Sequence, residues 1–136
     1  MPLQVSAVRQ AMAVILEAAF GNEVQVATAP DQITPPALFL GMPTIEYHGS
    51  YSRAGIDSMT FPLWGIFPRT HDQTAVDLAD EWASGIGDRS ILVLLEEDQT
   101  LGGACQSLVV RRTDATVWNG SAGDLPAFNW TIEVWG

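Results

Sequence analysis

The chain carries a single cysteine, and its surroundings decide whether it could act as a nucleophile. Cys105 follows a glycine pair in "EEDQTLGGACQSLVVRR", residues 96–112. A reactive cysteine needs a lowered pKa, normally from a neighbouring histidine or a helix N-terminus. Here it follows a predicted helix C-terminus and three acids, and no sequence pattern links His48 or His71 to "GGAC". The sequence therefore favours a small buried residue over a catalytic thiol.

The glycine pair Gly102-Gly103 does not match a phosphate-binding loop. Such loops place glycine between a strand and the start of a helix, usually with a lysine aimed at the anion. Here the predicted order is a helix followed by a strand, and the chain has no lysine. We therefore interpret the pair as a turn, since glycine supplies the backbone angles needed to leave a helix.

Two groups of acids could bind a cation or carry out hydrolysis: Glu96 to Asp98, and the set Asp77, Asp80 and Glu81. Neither has the alternating oxygen ligands and central glycine of a calcium loop. Two histidines far apart do not indicate zinc. A glycosidase-like carboxylate pair stays open, although sixteen acids in a small chain make chance pairs common. We predict no catalytic, metal-binding or cofactor-binding residue.

Composition limits the kinds of partner. Sixteen acids against six arginines leave a net charge of -10, which disfavours electrostatic binding of nucleic acid. Charged residues make up 16%, below the roughly 25% usual for a soluble domain, while 47% are hydrophobic and five are tryptophan. Tryptophan is enriched in protein interfaces, so the composition predicts an oligomer.

Length predicts one domain over residues 1–136, and no repeat, low-complexity run or linker indicates a second. One cysteine excludes an internal disulfide, and the start of the chain does not read as a secretory signal. The longest apolar runs are far below the ~18 residues of a membrane span. We expect a soluble protein made in the cytoplasm, with no membrane partner.

Apolar residues at helical spacing predict three helices. The first covers residues 6–21, with Ser6 as N-cap and Gly21 as stop. The second has a Thr70/Gln73 capping box, and its apolar stripe consists of Ala75, Leu78, Ala79, Trp82 and Ile86. The third covers residues 89–98. The apolar run of the third is equally compatible with a strand.

Alternating or short apolar runs predict the strands. They cover residues 23–28, 37–41, 58–69, 106–112 and 128–135. Pro62 indicates an edge strand or a bulge, because proline cannot donate to a ladder. Residues 113–127 read largely as loop, with a strand around Val117 as a further option. The order predicts an α+β domain, with a four- to five-stranded mixed or antiparallel sheet and two to three helices packed on one face.

In chain order, five segments together resemble the tail terminator proteins of long, flexible-tailed bacteriophages. They are the amphipathic opening helix, "PDQITPPALFLGMPTIEY", "MTFPLWGIFPR" leading into "HDQTAVDLADEW", "LLEEDQTLGGACQSLVV", and the closing "FNWTIEVW". They span nearly the whole chain, and their order and spacing carry the resemblance. In such proteins a short helix ends in Asp-x-x-Leu-Gly-Gly and turns into a strand.

The resemblance implies a structural virion protein of the tail and neck, assembled in the host cytoplasm, and not an enzyme. It implies a hexameric ring that caps the tail tube, stops its polymerisation, and docks the head-tail connector or stopper protein. Genome DNA would pass through the lumen without specific binding. Asp77, Asp80 and Glu81 are candidates for an acidic lumen or axial face; an ordinary outer surface is the competing interpretation.

Three alternatives remain open from the sequence. The chain could be another neck component, either a head-tail connector or a tail-completion protein. It could be a small hydrolase that uses Cys105 or a carboxylate pair. It could also be a ligand-binding α+β domain, which would require a defined pocket.

Overall fold

The computed structural model describes the chain in eight segments, which contain three α-helices and six strands. The segments are residues 4–21, 24–27, 36–46, 58–67, 73–87, 90–105, 107–120 and 123–135. The elements are α1 (Val5–Phe20), β1 (Gln25–Ala27), β2 (Ala37–Leu40), β3 (Thr44–Glu46), β4 (Ser58–Ile66), α2 (Gln73–Ala83), α3 (Ile91–Glu96), β5 (Ser107–Gly120) and β6 (Gly123–Trp135). The predicted α+β class is confirmed.

The strands form one mixed sheet in the order β1-β2-β4-β6-β5, and β3 also pairs with β4. Only β1 and β2 run parallel; the other pairs are antiparallel. The prediction of four to five strands was too low. The missed strand, β3, lies in a stretch rich in polar and turn residues, where pairing with β4 outweighs weak local preference.

The largest correction concerns residues 113–127, which the sequence indicated as mostly loop. They belong to one long antiparallel hairpin of β5 and β6, with cross-strand partners from Ser107 and Trp135 to Gly120 and Gly123. A β-bulge between Val110 and Arg112 interrupts its register. The amide of Val110 donates to Glu96 Oε2 at 3.0 Å, so a side chain from α3 satisfies backbone at the bulge.

Pro62 lies in the middle of the sheet, so the prediction of an edge strand is wrong. Its carbonyl accepts from Gly41 N at 2.8 Å, on the side of β4 that faces β2 and β3. The N–H and C=O of one strand residue point to the same side, so the proline nitrogen faces this side too. On this side, opposite Pro62, the chain passes from β2 to β3 through residues 41–43. This connection needs no backbone N–H from position 62.

One core lies between a single face of the sheet and the described helices. Its fully buried members include Val8, Met12 and Leu16 of α1, Phe61 and Leu63 of β4, Trp82 of α2, Ile91 and Leu95 of α3, and Trp130, Ile132 and Val134 of β6. The alternating burial along 130–134 confirms the predicted closing strand. Burying each large apolar side chain contributes about 1.5–3 kcal/mol.

The helix ends differ in part from the predicted ends. Gln4, not Ser6, is the N-cap of α1 and its side chain makes no capping bond, whereas Gly21 ends the helix as predicted with φ 61. α2 stops at Ala83, so Ile86 lies beyond it and is 82% exposed. Thr70 of the predicted capping box lies outside the described residues.

The third predicted helix is a helix and not a strand. Ser90 is its N-cap, and its Oγ accepts from Val93 N at 3.3 Å. The same hydroxyl donates to the carbonyl of Ser84 in the preceding connection. Ser90 is fully buried, so this cap joins α2 to α3 inside the fold.

The opposite face of the sheet holds a second, smaller cluster. Trp118 near the end of β5 packs against Trp64, with ring centroids 5.2 Å apart, and against Phe39 at 5.6 Å. Ile66, Leu125 and Ala127 are buried in the same cluster. The cross-strand partner of Trp118 in β6 is Leu125, whereas the partner of Trp64 in β6 is Asn129. The hairpin end must therefore curl over this face to bring Trp118 against Trp64.

Candidate functional site

The stretch around the glycine pair is an ordered turn built on one carboxylate. Asp98 Oδ1 accepts from Thr100 N at 3.2 Å and from Thr100 Oγ1 at 2.8 Å. Its Oδ2 accepts from Gly102 N at 2.9 Å. These bonds, led by the one from the Thr100 hydroxyl, hold the pKa of the Asp98 carboxyl below its ordinary value. The carboxylate is a structural acceptor for the turn.

Backbone conformation explains the glycine pair. Leu101, Gly102 and Gly103 all have positive φ, at 51, 67 and 98 degrees. Glycine adopts these angles without strain, whereas Leu101 does not. Leu101 is held there by burial of its side chain in the main core. The structure thus confirms a turn between a helix and a strand at this point.

Cys105 is placed as the sequence predicts, buried at the entry to β5. Its Sγ lies 3.4 Å from the carbonyl oxygen of Gln99. Burial raises the pKa of the thiol, and the negative charge of Asp98 raises it further. Both effects oppose formation of the thiolate that a nucleophile needs. His48 and His71 lie outside the described residues.

The three acids of α2 lie on the surface of the helix. Asp77, Asp80 and Glu81 are all exposed. Within the described segments no group of three His, Cys, Asp or Glu side chains could hold a metal ion. The acids present negative charge on the outer side of the helix, and whether they face a lumen stays a prediction.

Sequence reasoning missed a surface around Arg9, Val14 and Met42, which we call the Arg9 surface. Arg9 Nη2 donates to the carbonyl of Gly41 at 3.2 Å and lies 3.9 Å from Met42 Sδ. Met42 is 80% exposed and Val14 is 58% exposed. The sequence shows Arg9 as the only cation of a mostly apolar helix, but no local pattern shows whether it has a carboxylate partner.

Replacing Asp98 with asparagine tests the turn through its pH dependence. Asparagine keeps an acceptor for Thr100 but loses the one for Gly102 N, so we expect Asp98→Asn to be less stable at pH 7. The folded pKa of Asp98 is lowered from 3.8, so its contribution is complete above the unfolded pKa and is lost as pH falls through the folded pKa. The difference in unfolding free energy between the wild type and this variant, the stability gap, should shrink below about pH 4.

Urea titrations of both proteins between pH 2 and pH 7 measure this gap. Glu97→Gln removes an exposed neighbouring charge and serves as the matched control, with little change expected. A gap that stays constant down to pH 2 would contradict a stabilising carboxylate at position 98.

None of the described helices is long and apolar enough to span a bilayer. No protein-family model matches the chain, and no curated protein matches its sequence.

Proposed function

We propose that the protein is a structural virion component that forms a ring on the end of a phage tail tube. The ring ends tail polymerisation and supplies the surface to which the head-tail connector or stopper protein docks. Genome DNA passes through its lumen without specific binding. The proposal rests on the sequence resemblance and on one structural observation, the connection between α3 and β5.

That connection supports the proposal because it has the form that the resemblance implies. A short helix, Ile91–Glu96, leads to Asp98, whose carboxylate organises the following turn. Leu101 is buried and the two glycines carry positive φ before the chain enters β5. The residue types of this stretch therefore have a structural explanation that needs no catalysis.

Exposed apolar side chains add support for a protein that assembles with others. Met42, Ile86, Val14 and Val117 are all more than half exposed. Apolar residues are common on monomer surfaces, so this observation alone decides little. Together with a low charge content and five tryptophans, it fits a subunit that contacts two neighbours and two axial partners.

Another neck protein, a head-tail connector or tail-completion protein, is the second candidate, since it shares size and acidity. A hydrolase based on Cys105 receives less support, because burial and Asp98 both raise the thiol pKa. A hydrolase based on paired carboxylates has no described cluster in its favour.

Negative-stain electron microscopy over a range of concentrations, with mass measured in parallel, tests the proposal. We expect closed six-fold rings with a hole wide enough for a DNA duplex, or a monomer that caps one end of added tail tubes. A monomer at every concentration that leaves added tubes uncapped would rule the proposal out. Rings that bind the connector but not the tube would favour the other neck protein.

A further inference from the structure

Arg9 has no carboxylate partner among the described residues. Its Nη2 donates to a backbone carbonyl, that of Gly41, and its guanidinium lies over the ring of Phe61 at 6.0 Å. Its Nε is buried without a hydrogen-bond partner. The other two described arginines each have a carboxylate, Arg111 with Glu133 at 2.7 Å and Arg112 with Asp114 at 3.0 Å. Arg9 is therefore the one described arginine that is still able to bind a carboxylate.

The Arg9 surface has the composition of an interface. It overlaps an open surface patch on α1 formed by Ser6, Arg9, Gln10, Ala13, Val14 and Glu17. Arginine and methionine are enriched in protein interfaces, and arginine is frequent among the residues that contribute most to binding energy. A partner for this surface should bring a carboxylate together with an apolar side chain.

The end of α2 carries both of these groups. Asp80 and Glu81 are exposed, and neither has a cationic partner among the described residues. Ile86, just beyond the helix, is 82% exposed. We call these three residues the α2 end.

Arg9 and the α2 end lie near different ends of α1. The α2 end flanks Trp82, with Asp80 and Glu81 before it and Ile86 after it, and Trp82 packs on Phe20 at the C-terminus of α1 with ring centroids 5.2 Å apart. Arg9 precedes Phe20 by eleven residues, which is about 16 Å along the helix. A contact between the two surfaces is therefore expected between copies and not within one.

We propose that the Arg9 surface binds the α2 end of a second copy of this chain. The inference rests on the proposed ring and names the contact between its neighbours. Because the two surfaces differ, the contact is head-to-tail, and such contacts close into rings when the rotation between subunits allows. It also places a cation against acids at the point where two chains of net charge -10 would otherwise repel.

Complementary charge reversal tests this contact in the full chain. One variant is Arg9→Glu and the other combines Asp80→Arg with Glu81→Arg. Each alone should weaken self-association by at least about tenfold in Kd, because like charges then face each other. Mixed one to one, the variants restore opposite charges at both kinds of contact and should reassemble. Mass photometry and sedimentation velocity measure the assemblies.

Arg112→Glu is the matched control for Arg9→Glu, because it changes net charge by the same amount at an exposed position on the opposite face of the sheet. It should assemble like the wild type. The Asp80/Glu81 variant guards against misfolding, since it alters exposed side chains only.

Retained assembly of either variant, failure of the mixture to reassemble, or a wild type that stays monomeric at all concentrations would each overturn the proposed contact. Tube capping separates this result from the proposed function. Capping that survives these variants leaves the function standing without this contact. A charge-dependent self-contact without capping would retain the contact and reject the function.

Discussion

Gly65→Ala is expected to destabilise the protein by about 3 kcal/mol, a large part of the stability of a domain this size. A Cβ at position 65 would lie 2.5 Å from Cζ3 of Trp130 and 3.2 Å from Cε3 of Trp82. Both tryptophans are essentially fully buried. Neither ring can move far, because Trp82 also packs against Phe20 and Phe67, and Trp130 packs against Phe128. The glycine creates the space in which a helix tryptophan and a strand tryptophan meet.

Urea unfolding followed by tryptophan fluorescence and circular dichroism measures this effect. Gly85→Ala is the matched control, because a Cβ there would meet no atom within 4 Å. It should change stability by less than about 0.5 kcal/mol. Equal stabilities for the two variants would mean that the packing around Gly65 is looser than described.

Trp118→Ala is expected to cost about 2–3 kcal/mol and to free the end of the hairpin, because Trp118 holds it to the second face of the sheet. The substitution removes the ring contacts with Trp64 and Phe39. It also uncovers Ile66, which is fully buried. A two-stranded hairpin without such packing is marginally stable in water.

Hydrogen exchange should therefore accelerate most in the hairpin end, at residues 116–120 and 123–126, and least in β4. Val117→Ala, at the adjacent half-exposed position, is the control and should leave exchange nearly unchanged. Uniform acceleration over the whole sheet, or none in the hairpin, would contradict a local attachment through Trp118.

Local sequence patterns were sufficient to predict the elements that have one continuous apolar face. α1 and the closing strand follow their periodicity because burial on one face is the main force that forms them. The hairpin end was missed because glycine, asparagine and serine near its tip resemble a loop. Its strand structure depends on pairing with β6 and on contacts with Trp64 and Phe39, which lie far away in sequence.

Pro62 is a second case in which residues distant in sequence decide the structure. Its missing N–H is harmless only because the neighbouring chain leaves the sheet at that point, and no local pattern reveals this. The turn at Asp98 was readable, since its hydrogen bonds are local in the chain. The Arg9 surface could not be predicted, because whether a charged side chain has a partner depends on residues distant in sequence.

The position of β6 in the sheet also governs when the protein can fold during synthesis. β6 lies between β4 and β5, and Phe61 pairs with Ile132, roughly 70 residues later. Until residues 123–135 leave the ribosome, β4 lacks its longest partner and the apolar face of α1 lacks much of its core. Nascent chains therefore expose this face until β6 has emerged, so chaperone demand should be highest before that point. Only chains that include β6 can join β4 to β5 and close the sheet.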